Sequence, residues 1–342
     1  MNGEVTLTIE TGRLKFELTF SRNVSFIRGA SGTGKTYLCD LIEQSRSADS
    51  GVVVSLTKEV PLRVMPMNTL DDPFAMPWYE VFGRINDTIF IIDEECDCLK
   101  GKPYNLSEVI KRTSNYYVII SRDRFSDIPY SVYSIYELTV QPDPEYSKLF
   151  IKNQQIFSNT STDMNPALII TEDSGTGFDF FTKSTNAPVL TAHTKTRVSR
   201  MLKGNLQQNK QNILAIADGA AFGSEVEEVM QIIKKAKTNV ILYLPESFEW
   251  LLLHSLIFKN DSMIQQILED YLNMIDYTEF FSLEQYFTKI LEDACKKQNV
   301  LYSKSTQSLP TIFLTEENIK YLLSLIPNVN FPESDSSTHY FS

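Results

Sequence analysis

The glycine-rich run at residues 29–36, which reads GASGTGKT, constrains this chain more than any other segment. The residues before it, 24–27, are apolar enough for a short buried strand, and residues 37–44 carry aliphatic side chains at helical spacing. Its three glycines allow a tight turn whose backbone N–H groups point inward. The pattern therefore predicts a strand, a turn and a helix, an arrangement suited to holding phosphate oxygen atoms.

A second segment, residues 88–95, reads TIFIIDEE and joins an apolar run to three acids. Such a run predicts a central parallel strand that ends at the ligand-binding edge of a sheet. The segment resembles the Walker B motif of the P-loop nucleoside triphosphatases, which implies that Asp93 holds Mg²⁺, directly or through water, and that Glu94 polarises the water molecule that attacks the nucleotide. A buried strand followed by a solvated acidic turn is the alternative interpretation.

The two segments resemble the Walker A and Walker B motifs of the P-loop nucleoside triphosphatases. The resemblance implies that ATP and Mg²⁺ are cofactors and that Lys35 reaches the β- and γ-phosphates as a catalytic residue, together with Glu94. It also implies that the Thr36 hydroxyl ligates Mg²⁺ beside Asp93. The residues expected to bind the nucleotide are Gly29, Ala30, Ser31, Gly32, Thr33, Gly34, Lys35 and Thr36.

A further buried strand is predicted at residues 116–121, which read YYVIIS. In P-loop ATPases a strand after Walker B often ends in a polar residue that senses the γ-phosphate, and Ser121 and Arg122 occupy that position here. A solvated charged turn is the alternative. The candidates for an arginine that stabilises the transferred phosphate are Arg112, Arg122 and Arg124.

Residues 1–145 resemble a compact ATP-binding domain of the ABC or AAA type, in which a hairpin at 4–20 precedes the glycine-rich run. Between these motifs we expect irregular chain at 58–72 and a short helix at 73–86 that Pro77 interrupts. The segment has no L-S-G-G-Q signature. This favours a trimmed relative, or an ATPase completed by a protein partner or a second copy of the chain.

A new alternation of strands and helices is predicted from residue 146 to 245, after the proline-containing linker QPDPE at 141–145. One strand, ALIIT, runs into Glu172 and Asp173, and a later strand, ILAIA, runs into Asp218. This region resembles the TOPRIM domain, and its place after a P-loop domain resembles the OLD family of nucleases.

The TOPRIM resemblance implies a second Mg²⁺ site at Glu172 and Asp218. The second acid of the expected D-x-D pair is replaced by Ala220, and Asp173 or Asp179 are candidate substitutes. Metal-dependent cleavage of nucleic acid and a TOPRIM-like domain without catalysis both remain open.

The stretch from residue 183 to 210 is basic, because no acid occurs between Asp179 and Asp218. Its cations are Lys183, Lys195, Arg197, Arg200, Lys203 and Lys210. Such a strip suits a nucleic-acid backbone. A solvated face or a docking surface for an acidic domain explains it equally well.

The remaining chain predicts a helical region at 246–330 and a polar, mobile tail at 331–342. The fold class is therefore α/β, with a P-loop NTPase parallel-sheet domain, a TOPRIM-like α/β domain and a helical C-terminal region. A net charge of −11 argues against a large surface that binds nucleic acid nonspecifically. No run of apolar residues suits a membrane span, and the first residues do not form a secretory signal, so we expect a cytoplasmic protein that does not contact membranes.

Three functions follow from these patterns. The first is a Mg²⁺-dependent ATPase whose nucleotide state controls the TOPRIM-like domain. The second is an ATP-regulated, metal-dependent nuclease of the kind that would suit phage defence or DNA repair. The third is a non-enzymatic scaffold that binds and releases a protein partner under the control of ATP.

Overall fold

A computed structural model describes residues 3–29, 34–65, 76–100, 105–141, 149–155, 163–208, 211–306 and 308–331. The chain divides into two compact units. Unit 1 comprises Met1–Ser158 and Asp270–Ser282, and unit 2 comprises Asn159–Glu269 and Leu283–Ser342. Residues 30–33 of the glycine-rich run, most of the predicted linker and nearly all of the predicted mobile tail lie outside the described residues.

The described part of unit 1 is built on one sheet of nine strands with three α-helices. The strands are β1 (Val5–Glu10), β2 (Leu14–Phe20), β3 (Val24–Arg28), β4 (Val53–Leu56), β5 (Leu62–Met65), β6 (Ile89–Ile92), β7 (Tyr116–Ile120), β8 (Ile135–Gln141) and β9 (Leu149–Gln155). The helices are α1 (Lys35–Gln44), α2 (Trp78–Arg84) and α3 (Leu106–Ile110), with 3₁₀ turns at Asp97–Lys100 and Val132–Ser134.

The strand order in this sheet is β4-β1-β2-β9-β8-β3-β7-β6-β5. The five strands from β8 to β5 are parallel, whereas β1 pairs with β2 and β4 in antiparallel orientation. Every residue of β3, β6 and β7 is buried, as expected for the central strands of a parallel sheet covered on both faces. The sheet is therefore mostly parallel, and the α/β class is confirmed.

Several local predictions can be compared with this sheet. The predicted hairpin is confirmed, since Val5 pairs with Phe20 across β1 and β2. The expectation of irregular chain at 58–72 is wrong for β5, which forms a parallel edge strand next to β6. Residues 66–72 lie outside the described residues. The short helix expected at 73–86, with an interruption at Pro77, is found as α2, which begins directly after this proline. Residues 73–75 lie outside the described residues.

An aromatic cluster fills the space between α2 and the sheet. Phe82 lies with its ring centroid 4.7 Å from that of Phe90 on β6 and 5.2 Å from that of Tyr117 on β7. Trp78 joins the cluster from the preceding turn of α2, and all four side chains are almost completely buried. These contacts fix α2 against the two central strands.

A later segment of the chain, Asp270–Ser282, completes unit 1. The ring of Tyr277 meets that of Tyr116 edge to face at 6.3 Å, and Asn23 Nδ2 donates to the carbonyl oxygen of Phe281 at 3.2 Å. Gly3 N donates to the carbonyl oxygen of Leu272 at 2.8 Å. Unit 1 is therefore discontinuous in sequence.

The described part of unit 2 contains one sheet of four parallel strands in the order β11-β10-β12-β13. The strands are β10 (Leu168–Thr171), β11 (Val189–Thr191), β12 (Ile213–Ile216) and β13 (Val240–Tyr243). The helices from this point on are α4 (Thr176–Ser184), α5 (Lys195–Gln208), α6 (Val226–Lys235), α7 (Phe248–Leu253), α8 (Ser262–Met274), α9 (Leu283–Lys297) and α10 (Glu316–Ser324), with 3₁₀ turns at Leu256–Phe258 and Thr311–Leu314. Strands alternate with helices through α6, as predicted.

None of the helices in the described ranges has both the length and the apolar character required to cross a lipid bilayer.

The aromatic cluster gives a stability prediction. Replacing Phe82 with alanine should lower the free energy of unfolding by about 3–5 kcal/mol, because the lost ring leaves a cavity between α2 and the sheet. Chemical denaturation followed by tryptophan fluorescence measures the change. Val140→Thr, at a side chain that is 62% exposed, is the matched control and should change stability by less than about 0.5 kcal/mol. Equal effects of the two substitutions would contradict the packing described.

Candidate functional site

The two described ends of the glycine-rich run adopt backbone conformations that favour glycine. Gly29 has a φ of 129° and Gly34 a φ of 86°, in the region that favours glycine. Helix α1 begins immediately after Gly34, so the N–H groups of its first turn have no partners within the helix. The Lys35 side chain folds back, and its Nζ donates to the carbonyl oxygen of Gly29 at 2.9 Å.

Three neighbouring strands bring the predicted residues to one edge of the sheet. β3 leads to Gly29, β7 leads to Ser121 and β6 leads to Asp93, and β7 lies between the other two. The strands are parallel and in close register, with Ile27 opposite Ile120. Their carboxyl ends therefore meet at the same edge.

Electrostatic interactions show which charges lie around Lys35. Burial lowers the pKa of the Lys35 ammonium group, and the positive charge of Arg122 lowers it further. The carboxylates of Glu94 and Asp93 oppose this shift and raise the pKa. Asp93, Glu94 and Arg122, predicted from separate segments, thus each lie within electrostatic reach of Lys35.

Asp93 also lies against α1. Burial and the neighbouring Asp93 carboxylate, which accepts a hydrogen bond from the Cys39 thiol, raise the pKa of Cys39 far above its usual range. Thr36 lies one turn before Cys39 on the same helix and is exposed. Residues three apart on a helix share a face, so the Thr36 hydroxyl and the Asp93 carboxylate flank the same region at the start of α1.

The predicted sensor residues differ in their surroundings. Ser121 is buried, and its Oγ accepts a hydrogen bond from Asp123 N at 3.1 Å, which shapes the turn after β7. Arg122 follows it and is exposed, as are Arg124 and Arg112. Of the three arginines, Arg122 is the one that acts on Lys35 electrostatically.

In unit 2 the two predicted acids lie together. Glu172 follows β10 and Asp218 follows β12, which are adjacent strands with Thr171 opposite Ile216. Asp218 N donates to Glu172 Oε2 at 3.2 Å. The carboxylate of Asp218 accepts from Phe248 N at 2.9 Å, at the start of α7.

The two candidate substitutes for the missing second acid are held by other partners. Asp173 Oδ2 accepts from the backbone N–H groups of Gly175 and Gly177, both at 3.1 Å, and thereby caps the start of α4. Asp179 forms an ion pair with Lys183 at 2.8 Å and accepts from Leu309 N. Both carboxylates therefore serve the local structure of α4.

Three charged residues that the sequence patterns did not single out complete the surroundings of Glu172 and Asp218. Glu249 on α7, Glu284 on α9 and Lys304 line the same cavity, whose volume is about 400 Å³. Lys304 Nζ lies 3.5 Å from Glu249 Oε1 and donates to Glu284 Oε1. These residues are distant in sequence and follow no recognisable spacing, so no local pattern indicates that they line one cavity.

We call Glu172, Asp218, Glu249 and Glu284 the acidic cluster, and burial changes the pKa of the first two. Burial raises the pKa of Glu172 to about 7, with a further increase from Glu284. Burial also raises the pKa of Asp218 well above its usual range, and Glu284, Glu249 and Glu172 add to the shift. The fully ionised cluster is therefore unfavourable without compensating positive charge.

The expected second Mg²⁺ site can be tested against these donors. Within the described residues, no group of three or more histidine, cysteine, aspartate or glutamate side chains is arranged to hold a metal ion. The Asp218 carboxylate is engaged by Phe248 N, and an ammonium group lies among the remaining acids. The side chains as arranged do not fit a metal.

The basic stretch forms helix α5, with Val198, Ser199 and Leu202 buried. Arg197, Arg200 and Lys203 are exposed at three-residue spacing. Lys195 instead donates to the carbonyl oxygen of Ala221 at 3.1 Å, and Lys183 pairs with Asp179. Lys210 lies outside the described residues. The exposed basic face of α5 therefore contains fewer cations than the composition of the stretch suggests.

Comparison with known proteins found no matching protein-family model, no matching curated protein and no matching solved structure.

The raised pKa of Glu172 predicts a pH dependence of stability. The folded protein holds the Glu172 proton up to about pH 7, whereas the usual pKa is 4.5. The wild type should therefore lose stability as the pH rises from 4.5 to 7, by up to about 1.4 kcal/mol per pH unit. Glu172→Gln removes this loss and still accepts the hydrogen bond from Asp218 N.

Denaturation curves recorded in EDTA across this pH range measure the difference between variant and wild type. The variant should gain relative stability as the pH rises. Glu269→Gln, at an exposed position on α8, is the control and should show no such gain. A constant difference between Glu172→Gln and wild type would contradict the assigned burial.

Proposed function

We propose that this chain is a cytoplasmic, Mg²⁺-dependent ATPase whose nucleotide site lies in unit 1, and whose nucleotide state controls a TOPRIM-like domain in unit 2. The main observation in favour is the convergence of Lys35, Asp93, Glu94 and Arg122 at the carboxyl edge of β3, β7 and β6. Four charged residues from three segments gather where a glycine-bounded turn begins a helix. That is the arrangement that phosphoryl transfer requires.

Each residue has a role in this proposal. The N–H groups at the start of α1 bind phosphate oxygens, with Gly29 and Gly34 allowing the close approach. Lys35 exchanges its hydrogen bond to Gly29 for the β- and γ-phosphates. Thr36 and Asp93 would hold Mg²⁺, which supplies positive charge to the phosphates. Glu94, which is exposed at the end of β6, orients the water molecule that attacks.

The position of β7 supports the assignment to the ABC or AAA type of ATPase. This strand separates the lysine-bearing loop after β3 from the acids after β6, and so delivers Ser121 and Arg122 between them. Arg122 therefore lies where a side chain can respond to the γ-phosphate. The antiparallel pair of β1 and β2 agrees with the hairpin expected before the glycine-rich run.

The sheet of unit 2 supports a TOPRIM-like assignment, because an acid follows each of two central parallel strands. The carboxylates of Asp218 and Asp173 already accept hydrogen bonds from backbone N–H groups. For this reason we favour a domain that responds to ATP over one that cleaves nucleic acid. Metal-dependent cleavage remains the rival function. A scaffold that binds a protein partner under ATP control is the other.

The first experiment measures Mg²⁺-dependent ATP hydrolysis by the purified protein. Lys35→Ala should lower turnover by about 10²-fold or more, because a cation that stabilises charge in the transition state is lost. Glu94→Gln should lower turnover by about 10²–10⁴-fold while nucleotide binding persists.

The control is Glu95→Gln, the same chemical change at the next residue, which is also exposed. It should retain most of the wild-type turnover, because its side chain is not assigned to the reaction. Turnover that persists in purified Lys35→Ala would refute the proposed ATPase. Equal losses in the two glutamine variants would refute the role of Glu94.

The exposed cations of α5 favour a second candidate property, which is binding of a nucleic-acid backbone. Arg197, Arg200 and Lys203 project from one helix, and no acid occurs between residues 180 and 217 to compensate them locally. Phosphate contacts of this kind strengthen binding without sequence preference.

Reversing the charge at Arg197 and Arg200, both to glutamate, should weaken DNA or RNA binding by about tenfold or more in a gel-shift titration. The control is the double change of Lys234 and Lys235 to glutamate, which alters the net charge equally on α6. If both double variants bind like the wild type, α5 is not a nucleic-acid contact.

A further inference from the structure

Two thiols meet directly after the acids at the end of β6. Cys96 and Cys98 are both free, and they are buried, with 1% and 0% of the residues exposed. Their Sγ atoms lie 2.9 Å apart and share a hydrogen bond. A disulfide bond is about 2.05 Å long, so the two sulfur atoms have to approach each other by less than about 1 Å to be joined.

The backbone between the two cysteines suits such a bond. Cys98 belongs to the 3₁₀ turn Asp97–Lys100, and Leu99 N donates to the carbonyl oxygen of Cys96 at 3.0 Å. Residues two apart in a turn of this kind have Cα atoms roughly 5–6 Å apart, because the rise is about 2 Å per residue. Disulfides commonly span Cα separations of about 4.4–6.8 Å. The two sulfur atoms can therefore be joined without a change in the fold of the turn.

The other two cysteines of the chain are arranged differently. Cys39 lies on α1 and Cys295 on α9, in different units of the protein, and both are buried and free. The Cys39 thiol donates to the Asp93 carboxylate. All four cysteines lie in the described residues, and among them Cys96 and Cys98 alone share a hydrogen bond with each other. Cys39 and Cys295 therefore provide internal controls for the effect of burial.

The thiol pair is connected to the turn that carries Asp93 and Glu94. Cys96 N donates to the carbonyl oxygen of Asp93 at 3.0 Å, and Glu95 N donates to Asp93 Oδ1 at 3.4 Å. Glu94 and Glu95 are exposed, so the thiols lie directly beneath a surface turn. A small oxidant needs only a local opening of this turn to reach them. A bond between the two sulfur atoms would then restrain the segment that follows Glu94.

We propose that Cys96 and Cys98 are a site of reversible oxidation, at which a hydroperoxide converts the two thiols into an intramolecular disulfide, and that this bond restrains the turn after β6. Thiol pairs that are oxidised transiently in a reducing compartment commonly act as redox sensors. Formation of the bond does not rest on the proposed ATPase, because it involves only the two cysteines and the oxidant. The effect on turnover described below does rest on it.

The proposed oxidation takes place in two steps. First, the thiolate of one cysteine attacks an oxygen atom of hydrogen peroxide, the O–O bond breaks, and hydroxide leaves and takes up the thiol proton, which gives a sulfenic acid and water. Second, the sulfur of the other cysteine attacks the sulfenic sulfur, the S–S bond forms, the S–O bond breaks, and water leaves with the second thiol proton. Two thiols are oxidised and one peroxide is reduced to two molecules of water. A dithiol reverses the reaction by thiol–disulfide exchange.

The first test maps the thiols of reduced, full-length, nucleotide-free protein after treatment with graded concentrations of hydrogen peroxide. The protein is then unfolded in N-ethylmaleimide and digested with trypsin. Cys96 and Cys98 fall in one tryptic peptide, residues 85–100, whereas Cys39 and Cys295 fall in two others. In mass spectra, peptide 85–100 should lose two hydrogen atoms and take up no maleimide, at a peroxide concentration about tenfold below that which modifies Cys39 or Cys295. Dithiothreitol should restore both thiols.

Serine variants and the wild type together decide the outcome. Cys96→Ser and Cys98→Ser should each form no intramolecular disulfide, because the second sulfur is absent. Cys295→Ser, the same change at another buried cysteine, is the matched control and should still form it. Two alkylated cysteines in wild-type peptide 85–100, at a peroxide concentration that modifies Cys39, would overturn the proposal. A disulfide that joins two chains through Cys96 or Cys98 would also overturn it, and neither result depends on the folding of a variant.

The second test asks whether the bond restrains the turn, and it depends on the proposed ATPase. Oxidised wild type should hydrolyse ATP several-fold more slowly than reduced protein, because Glu94 has to follow the attacking water, and dithiothreitol should restore turnover. Cys98→Ser should keep its turnover at the same peroxide concentration. A disulfide that leaves the turnover of an active protein unchanged would refute the restraint. Reduced protein without turnover would refute the ATPase, whereas the thiol map would still decide whether the disulfide forms.

Discussion

Parallel pairing of β3, β7 and β6 is the constraint on which unit 1 depends. These strands are buried along their whole length, so their apolar side chains stabilise the sheet from both faces. The same pairing forces three chain segments to end at one edge. Hydrophobic burial thus sets the positions of Lys35, Asp93 and Arg122, although none of these polar residues contributes to the core. The proposed chemistry is a consequence of strand register.

Parallel strand pairing also brings acids together in unit 2, but their electrostatic environment differs from that in unit 1. Adjacent parallel strands bring Glu172 and Asp218 together, but here burial opposes ionisation and raises the pKa of both groups. In unit 1 the acids lie at a more open edge and share it with the cations Lys35 and Arg122. Two sheets with similar edges therefore provide different environments, one in which acids lie beside cations and one in which burial disfavours the ionised carboxylates.

The sequence was informative where a pattern is local. The apolar runs of β3, β6 and β7 are continuous, and the acids and glycines directly follow them, so the position of Asp93 relative to Gly29 could be predicted. The edge strand β5 was missed because Leu62–Met65 is short, flanked by prolines and only partly buried.

Glu249, Glu284 and Lys304 could not be found from spacing, because tertiary packing of α7 and α9 brings them together. Helix capping by Asp173 was equally hidden, since the same residue type serves both capping and metal binding.

The discontinuity of unit 1 has a consequence for how the protein is made. A ribosome releases the chain from its N-terminus, so β1 to β9 emerge well before the segment Asp270–Ser282 that carries Tyr277 and Phe281. Until that segment is available, Tyr116 and Asn23 lack these partners. Nascent unit 1 therefore cannot form these contacts until more than a hundred further residues have been synthesised.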